Sequence, residues 1–284
     1  MRYIDTRIVE NRSLGGGYFV LRLGGCESLS GCKPGQFIML RGDWGRDPLL
    51  PRPFSILSAA QEGRVDLLAK TFGRGTLLLE KAPPGTRVSV LGPLGNAFPE
   101  TAPEITDLLV AGGVGLPPLL MQAGAAARRG LAAQNEFFYG GRGARDLVLM
   151  AELRGLGIPL HFATEDGSLG RRGRVTAELE ARLEILRKDF PNKRFRVLAC
   201  GPAAMLEAVA VVADRFGIEC FVSFEQRMAC GFGVCLGCAV PAHSRPYHYV
   251  CKDGPVFLST DVRWHEPSPT PGCGCASPAE GKSS

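Results

Sequence analysis

Between residues 1 and 99, apolar side chains recur in short period-two runs, at 18–23 (YFVLRL), 36–40 (QFIML), 65–69 (VDLLA) and 87–91 (RVSVL), and Gly and Pro break the runs apart. Alternation at this period gives each run one inward and one outward face. With Pro34-Gly35 and Pro84-Gly85 as turns, the spacing predicts a small antiparallel β-barrel with weak helical signal. From residue 100 to 222 the texture changes. Apolar runs at 108–111, 136–139, 160–163 and 195–199 alternate with Ala- and Leu-rich stretches of helical period, the pattern of a parallel sheet covered by helices. Residues 223–265 follow neither pattern and form a third, small domain. The last stretch, 266–284, is rich in Pro, Ser and Gly and is expected to be a flexible tail outside the fold. The expected fold class is therefore multi-domain, β plus α/β.

Bulk properties narrow the function. Apolar residues make up 45% and charged residues 21% of 284, ordinary globular usage. The net charge of +5 comes without a run of five like charges, and Arg171, Arg172 and Arg174 form the densest basic group, too mild a balance for nucleic acid. No stretch of 18 apolar residues occurs and the first residues lack the apolar core of a signal peptide, so no membrane partner and a cytoplasmic location are expected. In that compartment ten cysteines are poor candidates for disulfides, and some should bind metal.

Cys230, Cys235, Cys238 and Cys251 have the Cys-x4-Cys-x2-Cys spacing, with a fourth cysteine beyond, of plant-type [2Fe-2S] sites. Gly231, Gly233 and Gly237 lie in this loop, where positive φ angles would turn backbone N–H groups onto the sulfurs. A four-cysteine zinc site is the competing reading, although zinc ribbons usually show two Cys-x2-Cys pairs and Cys251 has no nearby mate. Cys273 and Cys275 in the tail are read as adventitious.

Residues 108–118 (LLVAGGVGLPP) read as strand, glycine turn and helix start, with Pro117 or Pro118 in the first helical turn. Gly113 and Gly115 would let a pyrophosphate approach the helix N-terminus. The full G-x-G-x-x-G fingerprint is absent, and taken alone a structural glycine turn competes. Two further strand ends, Tyr139 to Arg142 and Ala199 to Pro202, place small residues where ligands of open α/β sheets gather, and Thr164 to Ser168 offers a third such edge. Arg142 could accommodate a 2′-phosphate, which leaves NAD against NADP open. In the first domain, Arg52, Pro53, Phe54 and Ser55 present an arginine fork for a phosphate and a hydroxyl for a flavin edge, and Gly73 to Thr76 supply backbone N–H groups. The alternative for Arg52 to Ser55 is an edge strand with a solvated arginine.

Together these residues resemble the ferredoxin reductase family from residue 1 to about 265. Within it, the cysteine loop, preceded by Met228 and closed by residues 250–257 (VCKDGPVF), is similar to the electron-transfer subunits of bacterial NAD-dependent dihydroorotate dehydrogenases. The resemblance implies an FAD site at Arg52, Pro53, Phe54, Ser55, Ala69, Lys70, Thr71, Gly75 and Thr76. It implies a nicotinamide site at Gly113, Gly115, Asp166, Cys200, Gly201 and Pro202, and a cluster held by Cys230, Cys235, Cys238 and Cys251. It further implies an FMN-containing catalytic partner that oxidises dihydroorotate in pyrimidine synthesis, assembled as a heterotetramer of two of each chain. Phe54 stands where relatives often have Ile or Tyr, and the Cys273-Gly-Cys275 tail is not part of the pattern. No acid/base constellation appears, and His161, His243, His248 and His265 are scattered and read as surface or packing residues. The alternatives are the small subunits of sulfide dehydrogenase or of NADH-dependent ferredoxin:NADP oxidoreductase and, in another class, a zinc-stabilised nucleotide-binding regulatory module.

Overall fold

The computed structural model describes residues 1–59 and 62–266; the tail expectation and Cys273 and Cys275 lie outside the described residues. Six antiparallel strands, β1 (Arg2–Gly15), β2 (Tyr18–Gly24), β3 (Phe37–Gly42), β4 (Arg52–Ala59), β5 (Val65–Lys70) and β6 (Arg87–Leu94), close into a barrel in the order β1-β2-β5-β4-β3-β6. Phe19, Leu21, Ile38, Leu40, Ile56, Leu67 and Val90 fill its interior. β1 escapes the sequence pattern because it is mostly exposed, with only Ile8 fully buried. β4 pairs with β3 along Arg52 to Ser55 and with β5 only from Ile56 onward, so Arg52 to Ser55 are paired on one side within a strand of the closed barrel. The weak helical signal missed one short helix, α1 (Arg74–Glu80), whose start is held by the Thr76 hydroxyl accepting from the Phe72 and Gly73 N–H groups.

The second layer holds β7 (Ile105–Gly112), α2 (Leu116–Arg128), β8 (Asn135–Gly141), α3 (Met150–Arg154), β9 (Leu160–Thr164), β10 (Arg171–Arg172), α4 (Val175–Asp189), β11 (Arg194–Cys200), α5 (Ala203–Arg215) and β12 (Glu219–Ser223). Its strands run parallel in the order β10-β9-β8-β7-β11-β12. Successive residues of β7 bury on opposite faces, Leu108 and Val110 in one core and Leu109 and Ala111 in another. Helices cover both faces, which is why these strands read as continuous apolar runs.

The last segment contributes β13 (Ala239–Pro241), β14 (Tyr247–Tyr249) and β15 (Val256–Leu258). β15 adds antiparallel to β12, fusing this small domain to the sheet edge. Asn96, beyond the barrel's last strand, ties it from the other side: its side chain donates to the Val256 carbonyl at 2.8 Å and accepts from the Val256 N–H at 2.9 Å. Within the domain, buried His248 lies 2.6 Å from the Asp261 carboxylate and stacks on Phe257. Burial opposes the charge on Asp261, but His248 and Ser244 hold its carboxyl down at about 2. A depressed carboxyl contributes stability in full above its ordinary value of 3.8 and loses it as pH falls through about 2. Asp261→Asn is therefore expected to flatten the acid limb of the pH–stability curve in that window, measured by urea unfolding.

Candidate functional site

The three layers meet at two adjoining clefts. The first, of about 410 Å³, lies between β4 and β5 of the barrel and residues 223–228 at the end of β12 and beyond it. Arg52, Pro53, Phe54, Ser55, Ala69 and Thr76 line its barrel side. The Arg52 guanidinium donates to the Leu50 carbonyl and rests on Gly75, where a Cβ would collide with it. Gly75 thus serves by lacking a side chain. Thr71 lines neither cleft; its hydroxyl donates to Glu80 at 2.9 Å and its N–H to the Gly17 carbonyl, which fixes the turn after β5.

The second cleft, of about 530 Å³, runs along the carboxyl ends of the parallel strands. Gly112 at the end of β7 and Gly113 just after it, Gly140 and Gly141 at the end of β8, and Gly201 and Pro202 after β11 line it. Gly113 takes φ +54°, a conformation that favours glycine. Two expected contacts stand behind this wall instead. Gly115 seats α2 against the end of β11, where a Cβ would overlap the Cys200 carbonyl, and Cys200 itself is buried with its thiol pushed up by that burial. Asp166 also falls short of the cleft: it is exposed, and its carboxylate accepts from the Ser168 N–H at 2.9 Å and hydroxyl at 2.6 Å. The preceding residue, Glu165, lines the cleft, because the chain turns outward after β9. Arg142 and Arg174 line it as well.

Lys70, Phe72, Val114 and Glu225 belong to both clefts and form their common wall. Lys70 donates to Asp146 at 2.9 Å and to the Tyr18 hydroxyl at 3.2 Å, and Tyr18 is itself 3.1 Å from Asp146. The trio clasps the barrel to the nucleotide-type layer. Burial alone would lower the Lys70 pKa, but its bonds to Asp146 and Tyr18 raise it; burial likewise opposes the Asp146 charge, and Lys70 lowers that carboxyl. Sequence reasoning reached Lys70 but missed Tyr18, Asp146, Phe72 and Glu225. Tyr18 and Asp146 stand 128 positions apart, and neither belongs to a motif.

The cysteine loop packs on the barrel beside the first cleft. Gly231 lies against Met39 of β3 and Leu94 of β6. Cys238 and Cys251 are buried with sulfurs 3.2 Å apart, whereas Cys235 is exposed. Gly231 and Gly233 take positive φ, as expected; Gly237 does not, and Leu236 takes φ +59° in its place. Burial works against a thiolate at Cys230, yet the backbone N–H groups of Cys235, Phe232 and Val234 hold its thiol at about 6. Among the described residues no three His, Cys, Asp or Glu side chains are set around a single metal ion. An all-cysteine donor set with backbone N–H groups turned onto sulfur fits an iron–sulfur cluster.

Residues 225–263 match the iron–sulfur cluster binding domain of dihydroorotate dehydrogenase B, residues 109–211 an oxidoreductase NAD-binding domain and residues 9–98 an oxidoreductase FAD-binding domain. The electron transfer subunit of dihydroorotate dehydrogenase B (NAD(+)) from Geobacillus kaustophilus is 40% identical over 81% of this chain and 86% of its own length. That of Listeria monocytogenes is 35% identical over 93% and 100%. The chain belongs to this family of electron transfer subunits. The family's iron–sulfur domain sets aside the zinc-stabilised module. Among solved structures, the NADH-dependent reduced ferredoxin-NADP oxidoreductase superposes with a TM-score of 0.77 at 28% identity, covering 91% of this chain and 90% of its own. The ferredoxin reductase of carbazole 1,9a-dioxygenase, at 21% identity over 76% of this chain and 66% of its own, has a TM-score of 0.64 and shares the fold. The ferredoxin reductase architecture expected from the sequence is thus present, with FAD-, NAD- and cluster-binding domains in chain order. No helix among the described residues is long and apolar enough to cross a membrane.

Proposed function

We propose that this chain relays electrons between NAD(H), FAD and a [2Fe-2S] cluster on behalf of an FMN-containing dihydroorotate dehydrogenase subunit in pyrimidine synthesis, as a cytoplasmic heterotetramer of two chains of each kind. The observation that carries the reading is the wall shared by the two clefts, with the cysteine loop packed against the barrel beside the first. In this reading Arg52, Pro53, Phe54, Ser55, Ala69, Lys70 and Thr76 hold FAD in the first cleft. Gly113, Gly201 and Pro202 border the nicotinamide nucleotide in the second, and Cys230, Cys235, Cys238 and Cys251 ligate the cluster. Gly75, Gly115, Thr71, Cys200 and Asp166 support those walls from behind or beside. A bound flavin supplies the exchange between two-electron hydride chemistry and the one-electron steps of a cluster.

Anaerobic visible and EPR spectra of the chain purified with its copurifying partner test this reading; flavin and cluster signals with an FMN-bearing companion are expected. A large multi-cluster flavoprotein as companion would favour instead the ferredoxin-NADP role that the fold likeness at TM-score 0.77 keeps in view. In this reading Arg52 offers its guanidinium to a flavin phosphate, and charge-assisted bonds contribute about 1.5–3 kcal/mol. Arg52→Ala is expected to weaken FAD binding by about ten- to a hundredfold, read by fluorescence titration of the deflavinated protein; unchanged affinity would remove Arg52 from the site.

A further inference from the structure

Two separate turns border the second cleft, one from Gly112 to Val114 at the end of β7 and one from Gly141 to Asp146 at the end of β8. Tyr139 on β8 lines neither cleft and is fully buried, in the core that also holds Leu109, Ala111 and Leu116. Its hydroxyl stands between the two turns. It donates to the Gly113 carbonyl at 3.3 Å and to the Asp146 carbonyl at 3.2 Å, and it accepts from the Val148 N–H at 3.4 Å. Phe137 and Phe138 beside it are buried as bare rings, so packing at this level of the strand is met without a hydroxyl. A buried polar group costs stability unless it is bonded, and this one is spent entirely on backbone. Burial raises the Tyr139 pKa, which keeps the hydroxyl protonated and able to donate.

The peptide between Gly113 and Val114 is trans, and in a trans peptide the C=O and N–H point in opposite directions. A Gly113 carbonyl held inward by Tyr139 therefore turns the Val114 N–H outward, and Val114 lines both clefts. Gly113 reaches this orientation at φ +54°, where a side chain would be strained. An outward N–H in the turn that leads into α2 is a donor for an anionic group. On the other side of the same hydroxyl, Asp146 carries the carboxylate that accepts from Lys70 and from the Arg142 N–H at 3.2 Å. Tyr139 thus ties the backbone of the glycine turn to that of the loop after β8.

We propose that the Tyr139 hydroxyl is a positioning group for the nicotinamide nucleotide. It fixes the peptide between Gly113 and Val114 with its N–H toward the nucleotide's pyrophosphate, and it joins that turn to residues 146–148 so that both sides of the second cleft are set before the nucleotide arrives. The proposal rests on the nicotinamide site of the reading above.

Tyr139→Phe removes the hydroxyl and keeps the ring. Dissociation constants of NAD⁺ and of ADP-ribose, measured by calorimetry on the flavin-loaded protein, are expected to rise together by about three- to tenfold, the range of one net hydrogen bond, because both ligands contain the pyrophosphate. With NADH and an artificial acceptor the same factor should appear in KM and not in kcat, the signature of lost binding shared by ground and transition states. A purely structural role would instead lower the Tm of the ligand-free protein and leave both dissociation constants where they were. That result would overturn the proposal, as would a loss confined to kcat or a loss for NAD⁺ without one for ADP-ribose. A second check uses the wild type alone: ADP-ribose should slow amide exchange at residues 112–115 and at Val148 together, although Val148 lines neither cleft. Protection of the first segment only would overturn the coupling of the two turns. A wild-type protein that binds neither NAD⁺ nor ADP-ribose would defeat the underlying nicotinamide-site reading, before any variant is made.

Discussion

Cys235→Ser is expected to abolish electron delivery to the catalytic partner while NADH oxidation by artificial flavin acceptors stays largely intact. Cys235 is the exposed member of the four cysteines, on a loop whose apolar neighbours Phe232, Val234 and Leu236 also face solvent. Under the proposed ligation its substitution removes a sulfur donor, and because the side chain is exposed it opens no cavity in the core. The two clefts are built by β4, β5, the ends of β7, β8 and β11, and residues 223–228, none of which uses Cys235. Hydride exchange with NADH should therefore persist when the cluster is lost. Paired assays with a flavin-level acceptor and with the partner subunit check this, alongside iron and sulfide content. Equal loss of both activities would show that the loop is required for folding of the whole site, a possibility made concrete by Gly231 lying against Met39 of the barrel.

The largest stability effect is expected at Arg196→Met. Arg196 on β11 donates to Asp107 on β7 through Nε at 2.8 Å and a terminal nitrogen at 3.1 Å, and also to the Glu100 carbonyl at 3.1 Å. Asp107 is fully buried, with the Thr101 hydroxyl donating to it at 2.7 Å. Removing the guanidinium strands a carboxylate out of reach of water, which costs about 3–5 kcal/mol in comparable buried pairs. Urea unfolding followed by circular dichroism reads the change. Replacing both partners, Arg196→Met with Asp107→Leu, should recover most of the loss, because an apolar pair of similar volume carries no desolvation penalty. A single-variant loss within about 0.5 kcal/mol, the range of ordinary surface substitutions, would mean that Asp107 finds other partners.

Patterns that repeat along the chain were legible early. Period-two runs in the first hundred residues, continuous apolar runs in the next, and the spacing of Cys230, Cys235, Cys238 and Cys251 each correspond to local geometry, so barrel, parallel sheet and cysteine loop could be read without coordinates. Arg52 to Ser55 and the turn at Gly113 were also within reach, because strand ends and glycine turns announce themselves. The register of side chains at those strand ends was less accessible. Asp166 and Glu165 are neighbours in the sequence, yet only Glu165 lines the cleft, since one residue of turn after β9 reverses which side chain faces inward.

What the sequence by itself determined is the set of parts: a flavin-type barrel, a nucleotide-type sheet and a cysteine loop, each encoded by short-range periodicity and spacing. What only the tertiary structure decided is how they share space. Lys70 bonding to Asp146, Tyr18 reaching across the same boundary, and Glu225 standing in both clefts belong to the meeting of the barrel with the parallel sheet, while β15 pairing with β12 and Asn96 holding Val256 tie the small domain to both. Such contacts join residues far apart in the chain and depend on the packing of three layers at once, so no local pattern of hydrophobic and polar positions carries them.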